Sequence, residues 1–63
     1  MKFELYEVWM EDVEGISDLV DTTSSLVEAR RIAQQVLDDN PDYYVTIYRE
    51  TDDGDLEVVE EVE

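Results

Sequence analysis

The chain has 63 residues, of which nineteen are Asp or Glu and four are Lys or Arg, with no histidine, no cysteine and a formal net charge of −15. Direct nucleic-acid binding is excluded, because phosphate neutralisation needs a basic face that Lys2, Arg30, Arg31 and Arg49 cannot supply; anionic membranes repel the chain for the same reason. Thiol and imidazole catalysis, disulfides and the usual zinc sites go with the missing Cys and His.

Residues Phe3 to Met10 (FELYEVWM) are rich in aromatic and β-branched types and predict a strand. Phe3, Leu5 and Trp9 fall on one face and Tyr6, Val8 and Met10 on the other, the pattern of a strand that is central or covered twice. Glu14-Gly15 offers a reversal, and Ile16 to Val20 can return as a short second strand. A two-residue turn there would set Met10 opposite Leu19 and Trp9 opposite Val20.

The helix is the clearest element. Ser25-Leu26-Val27-Glu28 has capping-box spacing, in which the Ser hydroxyl and the Glu carboxylate satisfy exposed N–H groups reciprocally. Leu26, Ala29, Ile32, Ala33, Val36 and Leu37 form one stripe at helical spacing, with Arg30, Arg31, Gln34 and Gln35 opposite. Asn40-Pro41 ends the helix, because the residue before proline disfavours the helical region. Asp38 and Asp39 stand at the C-terminus, where the helix dipole disfavours negative charge.

Tyr43 to Glu50 and Leu56 to Val62 predict a hairpin about Asp53-Gly54. A two-residue turn collects Val45, Ile47, Leu56, Val58 and Val62 on one face, to meet the helix. It collects Tyr44, Thr46, Tyr48, Glu50, Glu57, Val59 and Glu61 on the other, with Glu50 directly opposite Glu57. Such a like-charge pair costs stability. Residues Glu60 to Glu63 are expected to fray.

Two hairpins flanking one helix predict an α+β fold of ββαββ order. It is a single small domain over residues 1–63, with an antiparallel sheet of three to four strands and an amphipathic helix packed on one face. No internal repeat, linker or low-complexity tract is visible. The core is small and unstapled, and self-repulsion opposes compaction. An apolar fraction of 43% laid out periodically nevertheless marks a folded chain. No apolar run is long enough to span a bilayer, and Met1-Lys2-Phe3-Glu4 does not begin like a signal peptide, so the cytoplasm is the expected compartment.

The charge is unevenly placed. Residues 1–21 hold seven acids and one base, residues 22–37 one acid and two arginines, and residues 38–63 eleven acids and one arginine. Same-face carboxylates on a strand repeat every roughly 6–7 Å, similar to phosphates along a nucleic-acid strand. That spacing suggests a DNA mimic, a non-enzymatic acidic protein that occupies the basic groove of a nucleic-acid-binding partner. Tyr44, Tyr48 and Trp9 add aromatic groups of the kind that anchor protein contacts. The candidate partner-binding residues are Glu50, Glu57, Glu61, Tyr44, Tyr48, Asp52, Asp53, Asp55 and Trp9. The alternative is a homodimeric structural or regulatory domain whose acidity only gives solubility.

Other chemistry finds little footing. Placing Gly54 at the sixth position of a calcium loop puts Arg49 at the first, where an acid is required. The EF-hand reading fails, leaving only a weak divalent site at Asp52, Asp53 and Asp55. Ser24 and Ser25 have no base partner, and the two glycines lie in turns, not in a phosphate loop. No catalytic residue, metal site or cofactor is expected. The stretch SSLVEARRIAQQVLDDNPDYYVTIYRE, Ser24 to Glu50, resembles short bacterial and phage domains of unknown function in its capped helix, Asn-Pro stop and Tyr-rich strand. In kind it also resembles the short acidic inhibitors that phages and mobile elements direct at nucleases. Neither resemblance assigns a role to any residue.

Overall fold

Residues 4–62 are described by a computed structural model. They form, in order, β1 (Tyr6–Glu11), β2 (Ser17–Thr23), α1 (Leu26–Asp39), β3 (Tyr44–Glu50) and β4 (Leu56–Val62). The strands make one antiparallel sheet ordered β2-β1-β3-β4, and α1 lies across one face, against β3, β1 and β2. The ββαββ expectation holds, with four strands. β1 sits between β2 and β3, which accounts for apolar groups on both of its faces; Phe3 lies outside the described residues.

The core follows from the alternation of the two central strands. Tyr6 and Val8 of β1 and Val45 and Ile47 of β3 point to the helix, where they are buried with Ala29, Ala33 and Leu37. Met10, Val20, Leu26, Ile32, Val36 and Val62 close around them. Ala29 and Ala33 are fully buried, and their short side chains let the helix approach the sheet closely. Its N-terminus is capped by Ser25, whose hydroxyl accepts from the Glu28 N–H at 3.3 Å. The capping box is only half made. The Ser25 N–H donates to the Thr23 hydroxyl at 3.2 Å, and the Glu28 carboxylate turns toward Arg31. At the other end both the backbone N–H and the side-chain amide of Asn40 donate to the Val36 carbonyl, and a turn through Pro41 leads into β3.

The hairpin turns differ from the expected two-residue loops. Asp12 pairs with Ile16 and Thr51 with Asp55, so each loop has three residues and ends in a glycine at positive φ, Gly15 at 86° and Gly54 at 85°. In each, the glycine N–H donates to the carbonyl three residues back, that of Asp12 or Thr51, at 3.0 Å. The side chains of those same residues accept from the backbone on the far side of the loop, Asp12 Oδ1 from Ile16 and Thr51 Oγ1 from Asp55. This is a type I turn closed by a left-handed residue, for which glycine carries no steric penalty.

The longer loops shift both registers by one residue, and both hairpins recover by a bulge. Trp9 faces Leu19, but Val8 faces Asp21, which leaves Val20 unpaired. Tyr48 faces Val58, but Ile47 faces Glu60, which leaves Val59 unpaired. The second hairpin thus repeats the first residue for residue: Val8 corresponds to Ile47, Trp9 to Tyr48, Gly15 to Gly54, Leu19 to Val58 and Val20 to Val59. Val8 and Ile47 are themselves partners across β1 and β3, so the approximate two-fold axis of the sheet passes through their pair. Only Glu11/Glu50, Gly15/Gly54 and Val20/Val59 are identical between the two copies, too few to mark a repeat in the sequence.

Between its turn and its bulge, β4 therefore shows the opposite faces from those expected. Leu56 and Val58 do not meet the helix; they stand on the open face, 45% and 53% exposed. Glu57 crosses to the helix side, opposite Arg49, so the expected Glu50–Glu57 clash does not occur and Glu50 faces Leu56. The end of β4 is also more firmly held than expected. Its strand pairing runs to Val62, and Glu60 is bridged by Arg30 of the helix at 3.2 Å; Glu63 lies outside the described residues.

Truncating the buried centre tests this core directly. Ile47→Val is expected to cost about 0.5–1.5 kcal/mol and Ile47→Ala about 2–5 kcal/mol in urea denaturation followed by circular dichroism. The equivalence of the two loops gives a second expectation. Gly15→Ala and Gly54→Ala should each cost about 1 kcal/mol, from backbone strain alone. A Cβ at Gly15 would meet nothing closer than 3.7 Å, and one at Gly54 nothing within 4 Å. Unequal losses at the two glycines would show that the loops are not mechanically alike.

Candidate partner-binding face

The sheet face away from the helix has no covering element among the described residues. Read across from β2 to β4, one row holds Leu19, Trp9, Thr46 and Glu61, and the next Thr22, Glu7, Tyr48 and Val58. Glu11 and Tyr44 lie beyond the first row, Glu50 and Leu56 beyond the second. Trp9 and Tyr48 are diagonal neighbours across the central pair, within reach for aromatic side chains. Together with Leu19 and Val58 they draw an apolar band across all four strands. Leu19 is 48% and Tyr44 58% exposed, while Trp9 and Tyr48 are half-buried.

Carboxylates frame this band. Glu11, Glu50 and Glu61 stand around it and Glu7 lies at its centre, and no arginine or lysine shares the face among the described residues. Arg49 points to the helix side beside Tyr6 and donates to Glu57 at 2.8 Å. That bond, and then the Glu57 charge, hold the Arg49 guanidinium above its ordinary pKa. Arg30 and Arg31 are on the helix, paired with Glu60 and Glu28. On the same side, Tyr6 donates its hydroxyl to Glu4 at 3.0 Å, which raises the phenol pKa, with burial adding to the effect. On the open face, Trp9 Nε1 donates to Glu7 Oε1 at 2.9 Å.

Of the residues expected to bind a partner, Trp9, Tyr44, Tyr48, Glu50 and Glu61 do share the open face. Glu57 does not, because the Val59 bulge turns it to Arg49 on the other side. Asp52 and Asp53 are in the loop of the second hairpin and Asp55 closes it, at one end of the molecule rather than on the face. No group of three acids that could hold a metal ion is found among the described residues, these three included. Sequence reasoning missed Glu7, Glu11, Leu19, Leu56 and Val58. The signal for Leu56 and Val58 was present: Thr51 and Asp12 both lie three residues before a glycine, the spacing of the longer loop that flips them.

The two hairpin tips lie at opposite ends of a molecule 38 Å long. Glu11, Asp12, Glu14 and Asp18 sit at one end, where the helix C-terminus with Asp38 and Asp39 also arrives. Glu50, Asp52, Asp53, Asp55 and Glu57 sit at the other. A shallow notch of about 150 Å³ at the first end is lined by Glu11, Tyr44, Val45, Thr46, Glu61 and Val62, smaller than the roughly 300–1,000 Å³ of ligand pockets. No helix among the described residues is long and apolar enough to cross a membrane. No family model, curated protein or solved structure matches this chain.

Acid crowding at each tip makes stability salt-dependent. Raising NaCl from 0.1 to 1 M shortens the screening length from about 10 to about 3 Å, so the melting temperature should climb over that range. A melting temperature that stays flat or falls would show that self-repulsion does not limit the fold.

Proposed function

We propose that this protein is a non-enzymatic binding module that engages a basic protein surface through its open sheet face. The observation that carries the reading is the uncovered apolar band, framed by three carboxylates, Glu11, Glu50 and Glu61, and holding no cation among the described residues. Exposed aromatic and aliphatic groups with a charged rim are the usual anatomy of a protein contact. A uniformly negative rim selects a positive partner and speeds the encounter. The partner class that fits best is a nucleic-acid-binding protein, whose basic groove would be withheld from its own ligand, as in a mobile-element inhibitor. Of the Glu57 and Glu61 carboxylates first expected on the open face of β4, only Glu61 stands there, with Leu56 and Val58 beside it on the same strand. The reading therefore rests on apolar contact steered by charge, not on imitation of a phosphate backbone.

The two-fold disposition of Trp9 with Tyr48 and Leu19 with Val58 favours one second reading, a homodimer joined face to face. Its drawback is that it brings two acidic rims together.

Affinity capture from the source cells, using wild type beside a Leu19→Ser/Val58→Ser variant, tests both. A basic partner is expected to be retained by wild type, lost by the variant, released by NaCl and displaced by duplex DNA. Retention that ignores the variant or the salt would overturn the proposal. Sedimentation equilibrium in which wild type dimerises and the variant does not would favour the second reading.

A further inference from the structure

The centre of the open face is not apolar. Glu7 stands there with Tyr48 directly across on β3 and Trp9 two residues along its own strand. Glu7 is half-buried as a residue, and its carboxylate accepts from the indole N–H at 2.9 Å, which fixes the indole edge against it. An ionised carboxylate has about four lone-pair sites, so one bond to an indole leaves most of its acceptor capacity unused. The nearest acid along the strand on this face is Glu11, beyond Trp9, and the face has no arginine or lysine among the described residues. A carboxylate flanked by two aromatic residues, with no cation on its face among the described residues, is poorly suited to a metal ion, which would demand several oxygens. It suits a flat, delocalised cation well.

Resting on the proposed basic partner, we infer that Glu7, Trp9 and Tyr48 form the seat for an arginine side chain of that partner. The guanidinium would donate to the Glu7 carboxylate while its plane lies on an aromatic face. Arginine does this better than lysine, because its donors form a rigid fork and its weaker hydration lowers the cost of leaving water. The seat lies where the two-fold axis crosses the face, so it is reached through the middle of the apolar band. Leu19 and Val58 would then flank the bound side chain and exclude water, the arrangement that strengthens a central anchor.

The test uses the whole chain and a fluorescein-labelled, N-acetylated hexa-arginine peptide in 50 mM NaCl. Affinity is read by anisotropy and location by the emission of Trp9, the one tryptophan in the sequence. Arginine peptide should shift the Trp9 emission and bind several-fold more tightly than hexa-lysine. Glu7→Gln should weaken it about tenfold, as expected for loss of a charge-assisted pair; Asp39→Asn, at the helix C-terminus and off the face, should change it less than twofold. Tyr48→Leu, which keeps apolar cover but removes the π face, should weaken it about threefold. Circular dichroism confirms that each variant remains folded. If the peptide binds but Glu7→Gln weakens it no more than Asp39→Asn, or lysine equals arginine, the seat is refuted and the basic-partner reading stands. If neither peptide binds wild type, both fall.

Discussion

The pairing of Val8 with Ile47 is the constraint on which the rest of the molecule depends. Both side chains are fully buried beneath the helix, at the centre of the two central strands. A small domain has few such positions, since little of its surface is removed from water. The pair also defines the approximate two-fold axis of the sheet, so its position fixes where each hairpin begins and which way its tip points. The helix cannot share that symmetry. It covers one face once, and its two buried alanines set how closely it approaches.

From this arrangement comes the distribution of charge. A two-fold that places the hairpin tips at opposite ends also separates the two densest groups of carboxylates by most of the 38 Å length. At physiological ionic strength the Debye length is about 8 Å, so each end is largely blind to the other. The acids within each tip still repel one another, and little in the fold offsets that. Of the three described arginines, Arg49 bridges Glu57 at the second tip, while Arg30 ties the helix to β4 and Arg31 steadies the first turn of the helix.

The bulges link fold to surface. A loop of three residues rather than two shifts the register near each turn, and one unpaired residue restores it further along the strand. Between turn and bulge every side chain changes face. In the second hairpin that exchange sends Glu57 to Arg49 and delivers Leu56 and Val58 to the open face. One local choice of turn thus relieves a like-charge clash and creates much of the exposed apolar surface. Glu7 is the polar exception at the middle of that surface, held by the Trp9 indole.

The sequence by itself determined the elements and their order. Strand composition, the Ser25 cap, the helical stripe and the Asn40-Pro41 stop are local signals, and each resolves within a few residues. The same signals placed Tyr44, Tyr48, Glu50 and Glu61 on one face, because on β3 and the outer part of β4 alternation alone fixes the side; Trp9 joins them through the pairing of β1 with β3. Only the tertiary structure decided the faces of Leu56, Glu57 and Val58 and the central position of Glu7. Those depend on how hydrogen bonds close two loops and on which strands become neighbours. Both are settled by pairing residues far apart in the chain, where local pattern carries no information.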